Sequence, residues 1–173
     1  FHAKRLKSRA ATKPFAKAML AHADAIRSAA DTKDDAELEV EDATAEIGVL
    51  NDELAKAFRP LVRALDNLVD SKPDDPRRRR LFAQTPSEAL SPTVDASQSQ
   101  FVDGVVKVLN EDADFEPLKP HAAPIVAAHD ALKTKVAERA GLQAGVRLAD
   151  SKLAQMVQAA CVAHNESEPD VKK

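Results

Sequence analysis

Two segments of this chain match at one ungapped offset, and that match constrains the fold more than any other feature. Lys13–Ser28 reads KPFAKAMLAHADAIRS and Lys119–Thr134 reads KPHAAPIVAAHDALKT. At an offset of 106 they share Lys13/Lys119, Pro14/Pro120, Ala16/Ala122, Ala21/Ala127, Asp24/Asp130 and Ala25/Ala131. The same offset pairs Val40 with Val146, Ala43 with Ala149, Ile47 with Leu153 and Leu50 with Met156. One offset serving successive apolar stripes predicts two related helical hairpins.

The stripes have helical spacing. Phe15, Met19, His22, Ile26 and Ala29 step by three and four, the mark of an amphipathic helix. Val40, Ala43, Ile47, Leu50, Leu54, Ala57, Leu61, Leu65 and Leu68 continue as a near-heptad seam suited to long antiparallel packing. Ile125, His129, Leu132 and Val136 predict a third helix, and Leu142, Val146, Ala149, Leu153, Met156, Ala160 and Ala163 a fourth. The polar run Asp31–Asp35 is expected to turn between the first two helices, and Gly141 marks the turn between the last two. Pro60 is expected to kink or break its helix, because it removes a hydrogen bond and crowds the preceding turn. Ile47, Leu50, Leu54, Leu153 and Met156 are expected among the most buried residues.

The architecture these readings give is all-α: an antiparallel four-helix bundle with an internal repeat, in one domain over 1–173. Its parts are a basic arm (1–12), hairpin A (13–70), a connection (71–100), a short helix plus hairpin B (101–164) and a polar tail (165–173). Composition agrees. Apolar residues make up 44% of the chain, with six Phe, no Trp or Tyr and four Gly, which favours helices over strands.

The connection is long for a compact domain and carries Pro73, Pro76, Pro86 and Pro92. Leu81-Phe82 is expected to pin it to the bundle, Thr85-Pro86-Ser87-Glu88 to open a short helical turn, and Phe101 to Leu109 to lie on a helix over about 95–111. Pro117, Pro120 and Pro124 segment the approach to the third helix. Arg77-Arg78-Arg79-Arg80 is the sharpest charge feature, with Asp74 and Asp75 beside it. Together with Lys4, Arg5, Lys7 and Arg9 it forms the candidate partner-binding set, for an acidic protein surface or a second subunit.

No pattern points to catalysis. There is no Gly-rich phosphate loop, no nucleophile elbow, and no helical metal signature such as His-Glu-x-x-His. His22 and His129 fall on apolar stripes and read as satisfied or partly exposed histidines, and no metal or cofactor is expected. The acids Glu37, Glu39, Glu41, Asp42 and Glu46 flank a seam and read as a solvated face. Cys161, within AACVA, reads as a small buried hydrophobe. Net charge is −3, which gives no general attraction to nucleic acid, and no apolar run approaches a membrane span. FHAKRLKSRAATK lacks the apolar centre of a secretory signal, which favours a cytoplasmic location and leaves the compartment open.

The functional expectation is a non-enzymatic structural or protein-interaction subunit. Two alternatives stand beside it: a metal- or haem-binding bundle using His22, His129 and nearby acids, and a nucleic-acid-associated protein using Arg77–Arg80 and the basic N-terminal residues.

Overall fold

The computed structural model describes residues 13–90 and 96–171, with side chains through Glu166. Every described element is helical. Two long helices dominate: α1 spans Lys13–Leu68 and α5 spans Ala122–Val171. Between them come α2 (Pro76–Leu81), α3 (Pro86–Ala89), α4 (Ala96–Glu111) and a 3-10 segment, Ala113–His121. The short helix near 95–111, the short turn after Thr85 and the proline-segmented approach to α5 all form where the sequence places them.

The expected hairpins do not form. Residues 13–68 are one helix with no turn at Asp31–Asp35, and Gly141 lies inside α5. The stretch 31–35 holds neither Gly nor Pro, so nothing in it forces a reversal. Its seam is unbroken as well: Ala29, Lys33, Ala36 and Val40 are half-buried at steps of four, three and four. Gly141 is exposed, where a helix tolerates glycine at a cost of about 1 kcal/mol. Pro60 does not break α1 either. It is exposed, while its neighbour Leu61 is fully buried and secures the turn that lost a hydrogen bond. The polar tail is also helical as far as Val171.

The chain divides into two compact units. The first takes its described residues from 13–41 and 140–171. It is a two-stranded antiparallel pair. Lys33 Nζ lies 3.5 Å from Asp150 Oδ1, and Glu37, Val40 and Glu41 share a groove with Gln143, Val146 and Arg147. On the α5 side, Leu142, Val146, Ala149, Leu153, Met156, Ala160 and Ala163 are half-buried at alternating steps of four and three. Ala16 is the one fully buried hydrophobe among this unit's described residues. With a single partner helix, each seam side chain is covered on one flank, so Leu153 and Met156 are half-buried rather than core. Cys161 is exposed, because it sits off that seam.

The second unit, residues 42–139, holds a continuous apolar core. Leu54, Phe58, Leu61 and Leu65 of α1 pack there with Phe101, Val105 and Leu109 of α4, Phe115 and Leu118 of the 3-10 segment, and Ile125 and Leu132 of α5. Ile47 and Leu54 are buried as expected, and Leu50 is half-buried. Phe101 stacks on both Phe58 and Phe82, with centroids 5.6 Å and 6.3 Å apart.

α1 ends in a defined reversal. Asp70 and Ser71 take φ of 50° and 57°, the left-handed region. Ser71 N–H donates to the Asp66 carbonyl at 2.7 Å and Asp70 N–H to the Asn67 carbonyl at 3.4 Å. This pair of bonds satisfies carbonyls that the helix end leaves open. The chain then turns back along the core unit, which is what brings the connection against α1.

Candidate protein-interaction site

The connection is fastened by its local chemistry. Asp75 caps α2: its Oδ1 accepts from Arg77 N–H at 2.9 Å, and the Arg77 guanidinium closes a fork on the same carboxylate. Pro76 follows in the first turn, where its missing N–H is not needed. The hydrogen bonds from Arg77, first its side chain and then its backbone, hold the Asp75 carboxyl down at about 2. At α3, one Glu88 oxygen accepts from Thr85 N–H at 3.2 Å and from Thr85 Oγ1 at 2.6 Å, which lowers the Glu88 pKa. Leu81 is buried, and Phe82 packs on Phe101.

All four arginines of the run meet carboxylates within the core unit. Arg77 pairs with Asp75, Arg78 with Asp66, Arg79 with Asp74 at 3.6 Å, and Arg80 with both Asp112 and Asp114. Arg78 also donates to the Lys72 carbonyl, and the Arg80 guanidinium lies 5.3 Å from the Phe115 ring centroid. The run is therefore largely a set of internal fasteners, and only Arg79, 79% exposed, stands well out into water. Lys4, Arg5, Lys7 and Arg9 lie outside the described residues.

What the fastened connection creates is a groove. Val62 of α1 faces Pro73, Phe82 and Pro86 across an open depression of about 730 Å³, with Arg78 and Arg79 at its edge. A second depression, about 460 Å³, shares Val62, Pro86 and Ser87 and adds Phe58, Leu90, Arg59 and Arg63. Arg59 and Arg63 are exposed and make no ion pair among the described residues. The result is an apolar patch whose polar rim is mainly cationic but also holds Ser71, Gln84, Thr85, Ser87 and the Glu88 carboxylate. The sequence points to the arginine run but not to Val62, Phe82 and Pro86, whose spacing follows no period. The nearest signal was Leu81-Phe82, an apolar pair stranded in a polar segment.

The histidines separate. His129 is buried in the core unit, with Nε2 3.2 Å from Ser99 Oγ and Nδ1 3.9 Å from Asp103 Oδ1. Burial lowers its pKa, aided by Lys133, against the opposing pull of Asp103 and Asp130. Gln98 and Asn51 are the other buried polar side chains among the described residues of the core unit, and Gln98 Nε2 donates to Asn51 Oδ1 at 2.6 Å. His22 is half-buried in the two-helix unit. Among the described residues, no group of three His, Cys, Asp or Glu side chains is placed to hold a metal ion, and no helix is long and apolar enough to cross a membrane. Glu37, Glu39, Glu41, Asp42 and Glu46 are all exposed, as a solvated face requires.

Comparison with protein-family models, curated proteins and solved structures finds no match to this chain.

Proposed function

We propose that this chain is a non-enzymatic protein-interaction subunit that takes a partner along the groove between α1 and the connection. The observation that carries the reading is the groove's make-up: Val62, Phe82 and Pro86 left accessible beside Arg59, Arg63 and Arg79. Apolar anchoring positions inside a charged rim are the usual anatomy of a protein contact. The rim arginines would speed and orient the encounter with an acidic partner. We also take Lys13–Ser28 and Lys119–Thr134 to be copies of one ancestral helical segment, on the strength of their common offset.

The test is capture from source cells with the full chain, wild type against Val62→Glu. The reading expects a partner retained by wild type and lost by the variant, with the variant's melting temperature within a few degrees of wild type. An identical set of captured proteins for both would overturn it.

A further inference from the structure

Resting on that interaction reading, we infer that the groove's occupant is a second copy of this chain, which inserts Leu38 and the acidic outer face of α1. In a two-stranded coiled coil, the positions furthest from the seam face water and are ordinarily polar. The half-buried seam of α1 runs through Ala29, Lys33, Ala36 and Val40, which puts Leu38 at the outermost position of its heptad. It is 59% exposed. Around it stand Asp31, Asp34, Asp35 and Glu41, all exposed and without an ion pair among the described residues.

One large apolar side chain set among unpaired carboxylates is the counterpart of an apolar groove set among arginines. Arg59 and Arg63 are free to meet those carboxylates, and Arg79 exchanges a long, water-screened pair with Asp74 for a closer one. The groove is open and the projecting surface is a continuous stretch of helix, as the helix-in-groove mode of recognition requires. The groove and the acidic face are different surfaces of one chain. Each copy therefore offers one of each, and the contact joins unlike surfaces that two copies can exchange reciprocally or pass on from copy to copy. Passed on, the contact propagates until it closes into a ring or continues as a filament.

The experiment is light scattering of the purified full chain across a concentration and salt series. Wild type is expected above the 18.6 kDa of one chain, rising with concentration and falling as sodium chloride screens the charges. Arg59→Glu/Arg63→Glu blocks the groove, and Asp34→Lys/Asp35→Lys blocks the face. Each is expected at single-chain mass, with helical circular dichroism like wild type. Mixed in equal amounts they are expected to associate again, since each intact surface meets its intact counterpart and the reversed groove and reversed face are themselves complementary. Leu38→Ser makes the same test without altering charge and is expected to weaken association at least tenfold. Wild type at single-chain mass throughout would overturn the inference, as would association untouched by these variants or a mixture that stays at single-chain mass. If association fails while the capture sensitive to Val62→Glu persists, the groove holds a different partner: the interaction reading stands and the second copy is ruled out.

Discussion

Gln98 on α4 donates from Nε2 to Asn51 Oδ1 on α1, 2.6 Å away, with both residues buried among the apolar side chains of the core unit. A hydrogen bond in such surroundings matters less for its net gain than for the penalty of losing one partner. Asn51→Ala is therefore expected to destabilise the chain by about 1–3 kcal/mol. The double variant Asn51→Leu/Gln98→Leu is expected to cost less than the sum of the two single leucine substitutions. Urea melts of all four chains form the double-mutant cycle that checks this.

His129 gives the core unit a pH response. Its folded pKa lies below the ordinary 6.5, mainly because burial penalises the charged ring. The unfolded chain therefore binds the proton more readily, so stability rises with pH through about 6.5 and falls below it. Ser99, Asp103, Asp130 and Lys133 surround the ring and are held fixed in the test. Urea midpoints at pH 5.5 and 7.5 are expected to differ in wild type, with a smaller difference in His129→Gln.

Asp75 acts at the other end of the scale. Its folded pKa of about 2 lies below the ordinary 3.8, so its contribution is complete above pH 4 and disappears as pH falls toward 2. Asp75→Asn is expected to flatten that part of the acid-unfolding curve followed by circular dichroism. Thermal melts at neutral pH are expected to show the variant less stable, through the loss of the Arg77 fork.

The arginine run divides by role. Arg79→Ser is expected to leave the melting temperature unchanged, since its pair with Asp74 is exposed on both sides. Arg80→Ser removes two carboxylate partners and the contact over Phe115, and is expected to lower it. Replacing all four arginines is expected to lower it further. Differential scanning calorimetry distinguishes these cases.

Leu54 and Leu153 occupy like positions in two seams but have different surroundings. Leu54 is 0% exposed in the core unit, and Leu54→Ala is expected to cost about 2–5 kcal/mol. Leu153 is half-buried against one helix, and Leu153→Ala is expected to cost about 1 kcal/mol, in line with ordinary substitutions away from a core. Chemical denaturation of both variants checks the contrast.

These contrasts show where the sequence could be read and where it could not. Helical class and the seam from Val40 to Leu68 were open to inspection, because apolar spacing survives folding unchanged. The seam's passage through Lys33 was not. A lysine reads as solvent-facing, yet its stem lies at the helix pair while its ammonium reaches Glu37 and Asp150, and the Glu37 hydrogen bond raises its pKa. Five polar residues then resembled a turn, and one long helix was divided in two. The candidate site was half visible. Arg77–Arg80 stand out as charge, but their partners Asp66, Asp112 and Asp114 become neighbours only in three dimensions, and so does the groove of Val62, Phe82 and Pro86.

The regular seam of the two-helix unit carries a consequence for how this chain can vary. Because its half-buried positions repeat every seven residues on both α1 and α5, removing seven residues from each strand restores the same faces to one another. Each such paired deletion shortens the unit by about 10 Å, at 1.5 Å per residue. A deletion of five would instead rotate every downstream side chain off the seam. Length in this unit is thus a stepwise variable, open to change in whole repeats by duplication or loss.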